Sequence, residues 1–450
     1  MKNKSLNMSF FKKLYLNNSL FYALIVVIML FVGAFIFPFL YLATCYLLLV
    51  LLVLLFLDIS LLFVAKTGVV AQRILPEKLS NGDQNEILIS IQNQFTFDVK
   101  ITVIDEIPFQ FQQRNFEIIK NIKASTETTI QYQLRPTERG EYFFGNLNIY
   151  VKSPLQLVSR RFSFDNLAMV PTYPSFIQLK KYNLMSFSNS MFQYGVKKMR
   201  RIGHSMEFEQ IKEYIQGDDI RSLNWKATAK KNALMVNQFQ DEKSQSIYMI
   251  IDKGRVMQMP FAGLSLLDYA INATLVLSNV ILKKQDKAGV LAFSKKIENR
   301  VVAEKRASQM QKILDSLYHI KTDFFESDFG RLYTDIKINI NHRSLIMLYT
   351  NFETLDALQR QLPYLKAIAK NHLLVVVFFN NTELNQLINQ KAINIQDIYD
   401  KVIAEKFSFE KRLIVNELKK HGIFSLLTQP ENLTLDTINK YLEIKARGIL

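Results

Sequence analysis

The 450-residue chain has one cysteine, Cys45, and it lies inside an apolar run. No intramolecular disulfide can form, and no thiolate cluster is available for a metal. The five histidines (His204, His319, His342, His372 and His421) are scattered, with no HExxH and no paired spacing. They read as surface or packing residues rather than ligands. The P-loop pattern is missing, no GxGxxG follows a strand pattern, and no serine nucleophile elbow occurs. Internal repeats and low-complexity tracts are also lacking. No catalysis and no cofactor are therefore expected.

What the chain has in quantity is hydrocarbon. Leu20 to Ala65 is a run of 46 positions with a single charge, Asp58. As one straight helix it would be about 69 Å long, far beyond a hydrocarbon core of about 30 Å. Two crossings fit, with Gly33 and Pro38 near the middle, and Pro38 opposes helix continuation. The arms are expected at Leu20–Phe37 and Phe39–Val64. Lys2, Lys4, Lys12 and Lys13 precede the run, Lys66, Arg73 and Lys78 follow it, and the turn is uncharged. Positive flanks stay inside, so both ends and the soluble bulk are expected in the cytoplasm, on a two-pass inner-membrane anchor. A signal peptide followed by one anchor is the alternative. The run is much longer than a signal core, and no small-residue cleavage pattern follows a short one.

The remainder is too long for one ordinary core, so two soluble domains are expected. The boundaries read as 1–19 basic N-terminus, 20–65 membrane hairpin, 72–166 β-sandwich, 167–245 linker and polar motif region, and 246–450 an α/β domain. In 72–166, period-two runs such as Glu86–Gln92, Val99–Ile104 and Thr129–Leu134 alternate with turn signals at Asn81-Gly82-Asp83, Pro108 and Arg139-Gly140. From Ser246 on, continuous apolar strands alternate with amphipathic helices, the signature of a mostly parallel, doubly wound sheet covered on both faces.

Two constellations stand out. Asp252 directly follows the apolar strand Ile247–Ile251, where open α/β sheets bind ligands, although capping a turn is the commoner role of such an aspartate. The next central strand ends at Thr350-Asn351-Phe352-Glu353. The second constellation, Glu213 to Lys226, holds Tyr214, the turn Gly217-Asp218-Asp219, Arg221 and the only tryptophan, Trp225. Paired acids beside an arginine are more often an ion-paired turn than a catalytic dyad. Arg221 is expected to pair with Asp218 or Asp219, and Trp225 to pack at the seam between this motif and the last domain. Lys226, Lys230 and Lys231 beside Trp225, with the Lys197, Lys198, Arg200 and Arg201 cluster and a net charge of +16, raise nucleic-acid binding as an alternative. A cryptic hydrolase using Asp218, Asp219 and Asp252 is the other. Attraction of the basic chain to anionic membrane lipid follows from the same charge.

The run Glu-Tyr-x-x-Gly-Asp-Asp-x-Arg-x-x-x-Trp-Lys-Ala at Glu213–Ala227, with Leu234-Met235-Val236, Glu242 and the strand ending at Asp252, resembles the domain of unknown function 58 family. So do Arg135-Pro136, Arg139-Gly140-x-Tyr142, Ser153-Pro154-Leu155 and the N-terminal hairpin. The resemblance implies a von Willebrand factor A-like last domain. It also implies a MoxR-type AAA+ ATPase as partner in an adaptor or chaperone-like assembly, with other membrane-bound von Willebrand A proteins as further partners. The metal-ion-dependent adhesion site of such domains opens with Asp-x-Ser-x-Ser. Here Asp252 matches, but Gly254 and Val256 replace both serines. Thr322 is taken as the site's later threonine, and Asn351 stands where an aspartate is usual. This degenerate set is expected to bind partners without a metal, and to hold Mg2+ only weakly at Asp252 if at all.

Overall fold

The computed structural model describes residues 12–65, 67–175, 177, 204–216, 218, 220–240, 244–322, 324–389, 391–392 and 394–449. The basic cluster at Lys197–Arg201, together with Gly217 and Asp219, lies outside them. The chain divides into two compact units, Met1–Tyr173 and Pro174–Leu450.

The first unit begins with a short strand, β1 (Leu14–Leu16), within the stretch read as a basic tail. Helices α1 (Asn18–Ile36) and α2 (Leu40–Val64) follow, turning at Phe37–Phe39 beside Pro38. Both are long and apolar enough to cross a membrane, about 28 and 38 Å at 1.5 Å per residue. Their surfaces leave Phe35, Phe39, Leu42, Phe56 and many neighbours exposed, a face that lipid satisfies and water does not. Ten more strands complete the unit: β2 (Val69–Ile74), β3 (Leu79–Ser80), β4 (Asn85–Asn93), β5 (Val99–Asp105), β6 (Ile118–Ile122), β7 (Glu127–Leu134), β8 (Gly140–Phe144), β9 (Leu147–Lys152), β10 (Val158–Phe164) and β11 (Ala168–Tyr173). They form a five-stranded sheet (β1-β10-β9-β5-β6) and two three-stranded sheets (β2-β4-β7 and β3-β11-β8). Alternate residues point inward, as in β5, where Val99, Ile101 and Val103 are buried between half-exposed neighbours. All three sheets feed one core. Strand β11 carries the unit to Tyr173, past the boundary expected near 166.

The foot of the hairpin belongs to that core. Leu62 of α2 is fully buried in it, with Leu55, Ile59 and Phe63 packed alongside. Asp58, 0% exposed, accepts hydrogen bonds from the Leu157 and Val158 amides (2.9 Å each) and from the Ser153 hydroxyl. Arg160 of β10 donates to the Leu62 and Ala65 carbonyls at 2.5 and 2.7 Å, closing the C-terminal end of α2. Its guanidinium lies over the Phe63 and Phe162 rings. The other arm is tied to the same loop. The Asn17 amide donates to Leu157 O at 3.1 Å, and its side chain donates to Gln156 O at 3.0 Å.

Further into the β-rich unit, Arg73 pairs with Asp105, which also accepts from the Tyr132 hydroxyl. Burial pushes the Asp105 carboxyl up, against the pull of Arg73.

In the second unit, β12 (His204–Glu213) and β13 (Met235–Gln240) pair as an antiparallel ribbon, with the short helix α3 (Trp225–Lys231) inserted between them. The main sheet then forms from β14 (Ser246–Asp252), β17 (Lys287–Phe293), β18 (Ile297–Glu304), β19 (Leu345–Tyr349), β20 (Leu373–Phe379) and β21 (Phe424–Thr428). A two-residue pair, β15 (Pro260–Phe261) and β16 (Leu264–Ser265), lies after β14. The order β18-β17-β14-β19-β20-β21 reads 3-2-1-4-5-6 when these six strands are counted along the chain. Every pair is parallel except β17 with the edge strand β18.

Helices α4 (Leu266–Lys283), α5 (Gln309–Tyr318) and α10 (Leu433–Arg447) cover one face, packing on Ile247, Met249 and Ile251 of β14. Helices α6 (Phe329–Asn339), α7 (Leu355–Asn371) and α9 (Ile395–Lys420) cover the other, on Tyr248 and Ile250. A further short helix, α8 (Thr382–Asn389), precedes α9. α4 is also apolar enough for a membrane, but 67% of its apolar window is buried in the protein, so it is a core helix. The strands and helices read from the sequence between 246 and 450 recur within a few residues. The unread elements α6 and α8 are short, and α6 shows itself only through Asp328 as N-cap and the Phe329, Leu332, Ile336 spacing.

Replacing Asp58 by alanine strands two buried amides and a hydroxyl, and is expected to destabilise the first unit by about 3 kcal/mol. Asp58→Asn, which keeps one acceptor oxygen, should lose about half as much. Unfolding of the full chain in detergent reads both. Equal stability of Asp58→Ala and wild type would remove Asp58 as the joint.

Candidate functional site

The strand order reverses around β14, and the carboxyl ends of β14 and β19 frame the crevice where doubly wound sheets present functional groups. Asp252 sits there, 1% exposed. Its Oδ1 accepts from the Gly254 amide at 2.9 Å and from the Ser327 hydroxyl, and its Oδ2 accepts from the Thr350 hydroxyl at 2.7 Å. Asp252 thus closes a turn of its own chain and pins two neighbouring loops. Gly254 is required by space: a Cβ would lie 2.2 Å from Ser327 Oγ and 2.9 Å from Phe325 O.

The other residues singled out from sequence do not converge on Asp252. Val256 packs against the core beneath α4 and offers no oxygen. The Thr322 hydroxyl accepts from the Phe324 amide at 3.3 Å and lines a separate cleft, so it is not the threonine of this rim. Thr350 and Ser327 supply the hydroxyls that reach Asp252. Thr350 stands in the strand-end run read from the sequence, whereas Ser327 carries no such signal, because its loop reaches Asp252 only through the fold. The Asn351 side chain accepts from Lys411 Nζ at 2.7 Å, and the same amine donates to Phe352 O at 2.6 Å. A hard divalent cation takes about six oxygens, several of them anionic. The rim offers one carboxylate with both oxygens engaged and two hydroxyls, with an ammonium bound to Asn351. Among the described residues no group of three or more His, Cys, Asp or Glu gathers. The residues present do not fit a resident Mg2+.

Lys411 comes from α9 and is 8% exposed. Burial pushes its amine down to about 8, which Glu353 only partly opposes. With Asn351, Glu353, Phe261, Phe379 and Phe407 it lines a largely apolar cleft of about 160 Å³.

The Glu213–Lys226 motif forms the elbow between β12 and β13. Asn224 caps α3, accepting from the Ala227 amide at 3.0 Å, and its amide nitrogen donates to Asn237 at 2.8 Å. Thr228 accepts from the Met235 amide at 3.0 Å, and Tyr214 N donates to Leu234 O at 2.8 Å, which closes the elbow. Asp218 pairs with Lys212 at 2.8 Å and accepts from the Ile215 amide at 3.1 Å; the Arg221 side chain, its expected partner, lies outside the described residues. The Lys212 hydrogen bond, then that of Ile215, holds its carboxyl below the usual range. Glu213, Lys226 and Trp225 face solvent. Trp225 is 69% exposed, Ile220 68% and Ile215 65%. The expected burial of Trp225 at a seam is therefore overturned: the motif folds the elbow through its polar residues and turns Trp225, Ile220 and Ile215 outward, while Tyr214 and Leu223 are half-buried.

Two outcomes follow. Magnesium at about 10 mM should leave the unfolding temperature unchanged, since a cation held at Kd of about 0.1 mM would add about 2.7 kcal/mol. For Lys411, the folded and unfolded chains are both protonated below pH 8, so the full burial cost is present there. Between about 8 and the ordinary 10.5 the unfolded chain binds more protons, and stability rises with pH. Urea unfolding should show wild type gaining about 3 kcal/mol relative to Lys411→Met across that window. Parallel pH profiles would contradict the burial assigned to this amine.

The uncharacterized protein YeaD of Bacillus subtilis (strain 168) is 22% identical over 191 residues, covering 39% of this chain and 45% of that protein. Thus the chain spans under half the length of this curated relative. Among solved structures, a PapD-like domain of human CEP192 aligns at 13% identity and a TM-score of 0.19, covering 24% of this chain and 87% of that one. The CARDB domain of a Pyrococcus furiosus protein aligns at 13% identity and a TM-score of 0.17, covering 23% and 94%. The region holding the elbow and most of the parallel sheet, residues 210–405, matches the family described as Protein of unknown function DUF58.

Proposed function

We propose that this chain is a membrane-anchored interaction module. Its α/β unit is of the von Willebrand factor A-like type, with the metal rim given over to hydrogen bonds. It works with a MoxR-type AAA+ ATPase in a chaperone-like or envelope-related assembly at the bacterial inner membrane. The reading places both termini and the folded units in the cytoplasm, following the positive flanks of the hairpin. The 3-2-1-4-5-6 order with one antiparallel edge supports the fold assignment. The observation that carries the function is the outward display of Trp225, Ile220 and Ile215. Exposed aromatic and aliphatic side chains, set on an elbow whose polar residues fix its shape, are the anchors of a protein interface rather than the lining of an active site. No catalytic step is assigned.

In-cell crosslinking of the tagged chain, with recovery in detergent with and without ATP, should yield an AAA+ ATPase. The double variant Trp225→Ala, Ile220→Ser should cut that recovery by roughly tenfold, the scale of losing an aromatic hot spot, while stability changes by less than about 0.5 kcal/mol for Trp225→Ala alone. Undiminished recovery would reject this surface. Consistent absence of an ATPase across crosslinkers would reject the pairing. A reporter fused at Leu450 should be active only on the cytoplasmic side.

A further inference from the structure

Beside the Asp252 rim, toward the β17–β18 turn, lies a cleft of about 400 Å³. Its titratable lining is Lys253, Lys295, Lys296, Lys321, Glu298 and His319. Glu298 is engaged by Lys253 at 2.7 Å, and that lysine is 6% exposed. Lys295 lies 5.3 Å over the Phe325 ring. Among the described residues, Lys296 and Lys321 have no carboxylate partner. The described lining therefore carries four ammonium groups against one carboxylate, in a concavity of the size that holds ligands.

The walls are fixed by backbone bonds. Lys253 N donates to Phe293 O at 2.9 Å, Arg255 N to Phe325 O at 3.0 Å, and Ser294 N to Lys296 O at 2.9 Å. Arg331 holds the Lys295 carbonyl at 3.0 Å. Lys253, Lys295 and Lys296 thus stand on a fixed part of the rim, and little ordering is left there for a ligand to impose.

We propose that this cleft binds an acidic peptide segment of a partner protein, its carboxylates meeting the exposed Lys296 and Lys321 at the mouth. The inference rests on the reading of the chain as an interaction module only for the ligand being protein. Charge complementarity supplies the rest. The lysines draw in a carboxylate directly. The apolar wall at Phe325 suits the stems of glutamate side chains better than a bare inorganic anion.

The test uses the full chain in neutral detergent, with fluorescence anisotropy of a labelled oligoglutamate peptide and an oligoglutamine control. The glutamate peptide should bind in a salt-sensitive way and the control should not. Lys296→Glu with Lys321→Glu should weaken binding at least tenfold, and the milder Lys296→Gln with Lys321→Gln should fall between. Lys366→Glu with Lys370→Glu, an equal charge change on α7, should leave binding unchanged. Loss that is equal for the α7 pair, or no loss in the cleft variants, overturns the proposal. So does competition by inorganic phosphate or an oligonucleotide as effective as that of the peptide at equal charge. Failure here leaves partner capture by crosslinking to stand or fall separately, and failed capture with intact peptide binding would reject the module while keeping the cleft.

Discussion

A buried carboxylate governs the first unit. Asp58 is the one charge in the apolar run, and a lone charge at the end of a membrane helix is tolerable only where donors surround it. The Ser153–Val158 loop supplies three. Arg160 adds the complementary element by answering the open carbonyls at the end of α2. Helix and sheet therefore share one polar joint and one apolar core, and neither is satisfied alone. The hairpin is a part of the β-rich unit rather than an appendage to it.

The second unit puts its polar chemistry at the strand ends in a similar way. Asp252 is enclosed by an amide and two hydroxyls, and Lys411 by Asn351 and the Phe352 carbonyl. Each charged group binds neutral groups of the neighbouring loops. Such an arrangement fixes loop geometry firmly, and in the proposed role it leaves recognition to the side chains that the loops carry outward. The elbow at Trp225 and the lysine-lined cleft are two such places.

Much of this was legible in the residues. The hairpin arms, the turn at Pro38, and every strand of the main sheet follow from hydropathy and period, because burial on one or both faces writes itself into alternation or continuous apolar runs. Other features were not legible. Thr322 and Thr350 are equally plausible hydroxyls by spacing, and only the crossover order brings Thr350 to Asp252. Trp225 read as packed at a seam between the motif and the last domain because tryptophan is usually well covered. Its exposure depends on the placement of α3 between two strands, which no local pattern records. The ion pair of Asp218 went to Lys212 because β12 is extended there and carries the amine back to the turn. β1 was hidden because three residues beside a helix carry no period of their own, and β10 supplies their register.

The short path from α2 to β2 has a mechanical consequence. Only Ala65 to Gly68 separate helix from strand, and the last helical turns are already clamped on their far side by Asp58 and Arg160. The helix and the sheet are thereby joined directly, through the core and the polar contacts of Asp58 and Arg160. A torque or pull applied to the β-rich unit is delivered to the hairpin as tilt, with no tether to absorb it, and a change of tilt in the hairpin turns the sheets with it.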